Sequence, residues 1–174
     1  MLILTLFRHA KSSWDFPELA DFDRPLAARG EEAAPRIGAF LAERSLMPNL
    51  VLCSTAKRTR QTIALALPAL KPRTKVKYLD GLYHAGIAEM LAIVGEQPPK
   101  PRHIVIVGHN PGLQSLALHL IGEGDSKDRR AIARKFPTAA VAVIAFDAQS
   151  WGDLNPGAGQ LVAYATAKQL ARKA

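Results

Sequence analysis

The chain has 174 residues and an apolar fraction of 48%, which suits one globular domain, residues 1–174, with a substantial core. No apolar run is long enough to span a membrane, and the single cysteine, Cys53, excludes an intramolecular disulfide. The net charge of +8 favours an anionic partner without choosing among nucleic acid, acidic protein and phosphorylated substrate. The opening residues lack the pattern of a secretory signal, so we expect a cytoplasmic location.

Strand and helix patterns alternate along the first half of the chain. The run LILTLF at residues 2–7 is continuously apolar, as expected for a strand covered on both faces. A helical pattern follows at 30–44, with Ala33, Ile37, Phe40 and Leu41 on one face. The pattern then predicts a strand at 49–53, a helix at 57–67, a weaker strand at 76–79 and a helix through Ile87, Met90, Leu91 and Val94.

The second half continues this alternation. It predicts a strand at 103–107, a helix with Pro111 in its first turn, and closing strands at 140–146 and 160–166. The polar stretch 122–137 is interpreted as a surface excursion with a short helix. Alternating strands and helices predict a layered α/β domain with a mostly parallel central sheet. In such sheets ligands bind beyond the carboxyl ends of the strands.

Residues suited to phosphate chemistry follow three of these strands. They are Arg8 and His9 after the first strand, Ser54 and Arg58 after the second, and His109 and Asn110 after the strand at 103–107. If these strands are parallel, the three groups converge on one edge of the sheet. Each group alone is weak evidence, but their shared position at strand ends indicates one site.

This pattern resembles the histidine phosphatase superfamily, which carries an Arg-His-Gly signature near the N-terminus. The short chain resembles the SixA-type phosphohistidine phosphatases in the run RHAKSSW…DFDRPLAARG. Ala10 stands where the signature has glycine. The likeness extends from the first strand to the helix after His109 and is only general beyond about residue 121. It implies a three-layer α/β/α sandwich of the phosphoglycerate mutase-like fold.

The chemistry of the residues supports a phosphatase site independently. A neutral imidazole is a competent nucleophile, and we assign that role to His9. Arg8 and Arg58 offer planar guanidinium groups that match phosphate oxygens. The family spacing S-x-x-x-R favours Arg58 over Arg60. We expect His109 to donate a hydrogen bond to the phosphoryl oxygens as charge builds in the transition state.

Three further residues are predicted to contact the substrate. Ser54 holds the loop or caps the next helix, and Asn110 adjoins the histidine motif. Arg24 has two open interpretations: it reaches the phosphate, or it forms a salt bridge with Asp21 or Asp23.

A general acid is the weak part of the pattern. By the resemblance, members that act on phosphomonoesters protonate the leaving group with a carboxylate between the two histidine motifs. That stretch, residues 78–91, offers only Asp80 and Glu89. Phosphohistidine protonated on its other nitrogen needs no such acid, because imidazole leaves as a neutral molecule. We therefore expect a phosphohistidine phosphatase, and keep as the alternative a phosphatase of small phosphomonoesters or of phosphoserine and phosphothreonine proteins with Asp80 as acid.

The other histidines and the two basic stretches lack such a setting. His84, His103 and His119 are interpreted as surface or packing residues, and the charges at 71–77 and 127–135 as solvated surface. A nucleic-acid-binding function would use those charges, but it lacks interleaved aromatic residues and leaves the strand-end motifs unexplained. We expect no cofactor, no metal, no nucleic acid and no membrane. We expect a monomer whose partner is a phosphorylated protein, such as a histidine-containing phosphotransfer domain.

Overall fold

The computed structural model describes residues 1–70 and 74–172, so the first three positions of the basic stretch 71–77 lie outside it. The strands are β1 (Leu2–Arg8), β2 (Leu50–Ser54), β3 (Lys75–Leu79), β4 (His103–Gly108), β5 (Ile121–Gly124), β6 (Val141–Phe146) and β7 (Gly159–Ala165). The α-helices are α1 (Ala28–Glu43), α2 (Lys57–Ala66), α3 (Ile87–Gly95), α4 (Gly112–Leu120), α5 (Ser126–Arg134) and α6 (Ala167–Ala171). None of the described helices is long and apolar enough to cross a membrane.

These strands form one sheet in the order β3-β2-β4-β1-β6-β7-β5. The pairs β1–β4, β2–β4 and β2–β3 are parallel, whereas β6 runs antiparallel to both β1 and β7. The carboxyl ends of β1, β2 and β4 therefore share one edge. The predicted mostly parallel sheet is confirmed, with β6 as the reversed strand.

Two hydrophobic cores lie on opposite faces of the sheet. One is closed by α1, α2 and α6, with Ile37 and Ile63 at its centre. The other is closed by α3, α4 and α5, through Val94, Leu116 and Ile132. The predicted three-layer α/β/α arrangement is thereby confirmed.

The continuous apolar run of β1 follows from this layering. Successive side chains of a strand point to opposite faces. Leu4 and Leu6 enter one core while Phe7 enters the other, and all three are at most 1% exposed. A strand with water on one face would have required polar residues at alternate positions.

The predicted elements are present, with most boundaries shifted by one or two residues, and two described elements, β5 and α6, were not predicted. The strand β5 overlaps the start of the polar stretch 122–137 and has no strand pattern in the sequence, because Ile121 is its only buried residue. The helix α1 begins at Ala28 rather than at residue 30. The helix predicted at 57–67 ends one residue early, and Leu67 starts a 3-10 turn that contains the proline. Pro111 precedes α4 instead of lying in its first turn.

Close backbone contact fixes the start of α1 against the loop that follows β1. The Ala27 amide donates to the Lys11 carbonyl at 2.8 Å. A Cβ on Gly30 would lie only 2.2 Å from that same carbonyl oxygen. Only glycine allows this approach, so α1 supports the loop directly after His9.

Substitution of Gly30 by alanine should therefore destabilise the protein. Relieving the overlap requires backbone movement, which typically costs about 1–3 kcal/mol in the free energy of unfolding. Urea denaturation of Gly30→Ala measures the loss. The matched control is Gly81→Ala, whose added Cβ would lie 3.5 Å from the Ile93 side chain. Equal stabilities of the two variants would contradict the proposed role of this contact.

Candidate active site

The three strand-end motifs meet at the carboxyl edge of the sheet. The ring centroids of His9 and His109 are 5.3 Å apart. Nη2 of Arg58 lies 3.3 Å from Nδ1 of His109, and Nε2 of His109 lies 2.8 Å from Oγ of Ser54. The structure therefore brings together the residues that the sequence placed at strand ends.

The hydrogen bonds of His9 identify the nitrogen that is available for chemistry. Nδ1 lies 2.7 Å from the Ala10 carbonyl oxygen, which can only accept, so Nδ1 carries the hydrogen. In the neutral ring, Nε2 then holds the lone pair. Burial, with a contribution from the positive charge of Arg58 and Arg8, lowers the pKa of His9 to about 4. His9 is therefore a neutral imidazole at neutral pH with a free Nε2.

His109 is held in the opposite tautomer. A guanidinium has no acceptor, so Nδ1 of His109 accepts from Arg58, and the ring hydrogen lies on Nε2 and is donated to Ser54. Burial, followed by the effects of His9 and Arg58, lowers the pKa of His109 to about 3. In this state its single N–H is engaged by Ser54. Donation to a bound anion would require either that the anion replaces Ser54 as the acceptor or that Nδ1 gains a second proton.

Arg58 is held in place by Asp21, a contact that the sequence analysis missed. Nη1 of Arg58 donates to the Asp21 carbonyl, and Nη2 donates to the carboxylate at 3.0 Å. The carboxylate also accepts from Tyr83 at 2.8 Å and from Arg24 at 3.0 Å. Burial opposes ionisation of Asp21, but these hydrogen bonds and the charge of Arg58 hold its pKa well below the usual range. Asp21 is thus an anion that orients Arg58.

The salt bridge considered for Arg24 is present, and its partner is Asp21; contact with the phosphate stays a prediction. Nε of Arg24 donates to the Ser13 carbonyl at 3.0 Å, and Nη2 donates to Ser12 Oγ at 2.7 Å. The guanidinium also stacks on the ring of Trp14, 3.2 Å from its centroid. In this conformation Arg24 orders the loop that carries Asp21.

Arg8 and Asn110 are both fixed by the backbone of Phe136. Nη1 of Arg8 donates to the Phe136 carbonyl at 2.8 Å, and Nδ2 of Asn110 donates to the same oxygen at 3.0 Å. Within the described part of the chain, the buried Nε of Arg8 has no hydrogen-bond partner. No described carboxylate lies within 4 Å of its guanidinium. Burial and the nearby charge of Arg58 lower the pKa of Arg8. This side of the site is therefore suited to an anion.

The two acids considered from the sequence have other contacts. Glu89 accepts from the Gly86 amide at 3.0 Å and so caps the start of α3. Asp80 is exposed and accepts from Thr55 Oγ1 at 2.6 Å. No group of three or more His, Cys, Asp and Glu residues that could hold a metal occurs in residues 1–70 and 74–172.

The remaining histidines differ in position. His103 is buried and hydrogen-bonds to Thr5 Oγ1 at 2.8 Å, which confirms its packing role. His84 has an exposed side chain, as expected, yet its ring lies 5.8 Å from that of His109. Tyr83 packs edge-on against His109 at 5.4 Å. No sequence signal pointed to Tyr83 or His84, because the 3-10 turn after β3 brings them to the site.

The environment of His9 generates a prediction about its protonation. Burial disfavours the imidazolium, so the neutral form should persist as the pH falls until about pH 4. Heteronuclear NMR of the ring nitrogens, assigned with His9→Ala, should show hydrogen on Nδ1 and a lone pair on Nε2 over this range. An imidazole that is half-protonated at about pH 6.5, the ordinary value, would contradict the assignment.

Two comparisons with known sequences match half of this chain or more. The family model of the histidine phosphatase superfamily (branch 1) matches residues 4–91. The uncharacterized protein Rv1276c of Mycobacterium tuberculosis is 36% identical over 163 residues, which cover 90% of this chain and 97% of that protein.

Solved structures agree in fold over nearly the whole chain. A protein of Nakamurella multipartitia, provisionally named phosphohistidine phosphatase SixA, superposes with a TM-score of 0.82 and 29% identity over 95% of each chain. A provisionally named SixA of Agrobacterium tumefaciens gives a TM-score of 0.80 and 29% identity, covering 95% of this chain and 97% of that one. The predicted phosphoglycerate mutase-like fold is thereby confirmed, and this chain belongs to the histidine phosphatase superfamily (branch 1).

Proposed function

We propose that this protein removes phosphate from phosphohistidine carried by a protein, through a phosphoryl group transferred to His9. Its membership of the superfamily supports phosphatase activity. The observation that carries the proposal is the tautomer of His9: a neutral ring with Nδ1–H bound to Ala10, and Nε2 free beside Arg8 and Arg58.

The reaction divides into two displacements. In the first, Nε2 of His9 attacks phosphorus as the nitrogen–phosphorus bond of the substrate breaks. The substrate imidazole, protonated on its other nitrogen, leaves as a neutral molecule. In the second, water attacks the phosphoryl group on His9, giving dihydrogen phosphate and restoring the neutral ring with hydrogen on Nδ1. Covalent catalysis of this kind replaces one difficult displacement with two easier ones.

Arg8, Arg58 and His109 supply the charge that the reaction needs. The phosphoryl group in such transfers spreads negative charge over its three equatorial oxygens. The unpartnered Nε of Arg8 can donate to one of them. A bound anion also raises the pKa of a neighbouring imidazole. His109 would donate a hydrogen bond to another phosphoryl oxygen in the transition state, once Arg58 releases Nδ1 for a second proton or Ser54 releases the hydrogen on Nε2. We expect Asn110 to contact the substrate at the margin of the site, next to Arg8.

The carboxylates around the site support phosphohistidine as the substrate. Asp21 is held as an anion by Tyr83 and two arginines, so it is a poor proton donor. Glu89 caps α3, and Asp80 is bound by Thr55. An alkoxide leaving group needs a positioned acid, which is worth about 10²–10⁴-fold. A neutral imidazole leaving group does not.

One alternative substrate class has support in the structure. Asp80 is exposed and directly follows β3 at the same edge of the sheet. If it loses its bond to Thr55, it becomes a candidate acid for small phosphomonoesters or for phosphoserine and phosphothreonine proteins. The names of the two structural relatives favour phosphohistidine. The expected partner is a phosphorylated histidine-containing phosphotransfer domain.

The test compares kcat/KM on three substrates: a phosphorylated histidine-containing phosphotransfer domain, a phosphoserine peptide and p-nitrophenyl phosphate. We expect the phosphohistidine protein to be preferred by a large factor over phosphoserine. The aryl ester should be intermediate, because its phenolate is also a good leaving group. Asp80→Asn should barely change turnover of phosphohistidine. His9→Ala should abolish turnover and acid-labile phosphoenzyme labelling.

Two outcomes would contradict this assignment. If phosphoserine is the best substrate and Asp80→Asn removes that activity, the alternative function is correct. If His9→Ala still becomes labelled, the nucleophile lies elsewhere.

Arg58 and Arg60 form a matched pair for testing the phosphate clamp. Arg58 is 4% exposed and contacts His109, whereas Arg60 is exposed and lies over the ring of Tyr78. Loss of one positioned transition-state donor typically lowers the rate by about 10²–10³-fold. We expect kcat to fall by this factor in Arg58→Ala and to stay near wild type in Arg60→Ala, with thermal denaturation confirming that both fold. Equal losses would show that the clamp is misassigned.

A further inference from the structure

A groove of about 810 Å³ lies between α1, α6 and the segment that joins α5 to β6. Neither His9 nor His109 is among its lining residues. Seven cationic side chains line it, and all except the first are exposed: Lys11, Arg29, Arg36, Arg134, Lys135, Lys168 and Arg172. Glu32 is the single acidic residue in its lining.

The positive charge of this groove is not neutralised within the described residues. Every ion pair found in residues 1–70 and 74–172 involves Asp21, so no carboxylate lies within 4 Å of a groove cation. The whole chain has 23 Lys and Arg against 15 Asp and Glu. Seven of those cations and only one acid line the groove, so most of the net charge of +8 is concentrated there. Clustered cations of this kind attract an anionic partner.

A single segment separates the groove from the catalytic residues. On one side, the Phe136 carbonyl accepts from Arg8, and the Ala139 amide donates to the His9 carbonyl at 3.0 Å. On the other side, Pro137 and Thr138 line the groove together with Ala139. A protein bound in the groove would therefore lie next to the site where a phosphoryl group contacts His9.

The lining of the groove favours a protein over a nucleic acid. Between the cations lie short apolar side chains, among them the half-buried Ala131, Pro137 and Ala167. An apolar centre with a charged rim is the usual anatomy of a protein interface. A nucleic-acid site would combine the cations with exposed aromatic rings for base stacking. The one aromatic residue in the lining, Tyr164, is half-buried and packs against Phe136.

We propose that this cationic groove docks an acidic surface of the phosphorylated protein substrate while its phosphohistidine occupies the site at His9. The identification of the bound protein as the phosphorylated substrate rests on the proposed function. The inference that the groove binds an acidic protein surface does not depend on it. The groove should act on association more than on chemistry, because charges at an interface rim chiefly alter the association rate and its salt dependence. It would give the enzyme preference for a phosphoprotein over free phosphohistidine.

The test uses two charge-reversed double variants with the same change in net charge. The groove variant is Arg36→Glu with Lys168→Glu, both exposed residues of the lining. The control variant is Lys75→Glu with Lys127→Glu, both exposed and outside the groove. Binding is measured by fluorescence anisotropy with a labelled peptide of alternating Glu and Ala. Duplex DNA and phosphatidylcholine vesicles containing phosphatidylserine serve as competing probes.

We expect the peptide to bind wild type and the control variant, and to bind the groove variant about tenfold more weakly or worse. Added salt should reduce this difference, because exposed charges are screened over about 8 Å at physiological ionic strength. With a phosphorylated phosphotransfer domain as substrate, KM should rise in the groove variant alone. Turnover of free phosphohistidine should be the same in all three proteins.

Other results would overturn the proposal. Equal weakening in both variants would mean that net charge, and not the groove, attracts the peptide. DNA or vesicles binding in preference to the peptide would assign the groove to a different partner. Groove-dependent peptide binding without any turnover of phosphohistidine would leave the docking surface standing and refute the proposed function. If the groove variant turns over the phosphoprotein as well as wild type does, the docking surface is refuted and the proposed function stands.

Discussion

Arg8 and Arg58 place two permanent positive charges at a largely buried edge of the sheet, and the rest of the site is arranged around them. Burying a charge without a partner costs several kcal/mol. Arg58 is compensated by the carboxylate and carbonyl of Asp21. Arg8 is compensated in part by the Phe136 carbonyl, while its Nε has no partner in the described chain. The incomplete compensation is what an arriving phosphoryl group can supply.

Burial at this edge keeps both histidines neutral, and the nearby positive charge adds to the effect. Desolvation disfavours the imidazolium most, and Arg58 opposes it at both rings, with Arg8 at His9, so the pKa of His9 falls to about 4 and that of His109 to about 3. Neutrality alone would leave the tautomers undetermined. A carbonyl that can only accept fixes His9, and a guanidinium that can only donate fixes His109. A free Nε2 on His9 therefore follows from the surroundings of the ring and not from the histidine itself.

Much of the fold and site could be predicted because the signals were local. The apolar run of β1 indicated a strand covered on both faces, and the residues after β1, β2 and β4 had to meet once those strands were parallel. The contacts that could not be predicted join distant segments. Asp21 reaches Arg58 across 37 positions and Tyr83 across 62, and no periodicity encodes such pairs. The strand β5 was missed since an edge strand with one buried residue has no alternating pattern.

The basic stretch at 127–135 also has a role that could not be predicted from the sequence alone. From the sequence it was expected to be solvated surface, and its exposed side chains agree with that description. Tertiary structure adds that Arg134 and Lys135 lie with cations of α1 and α6 along one groove. A charge that is unremarkable in the sequence becomes part of a field once the fold gathers others around it. In this protein the fold forms two clusters of positive charge at one edge of the sheet. The inner group, around His9, suits a phosphoryl group, and the outer group, along the groove, suits the acidic surface that would carry it.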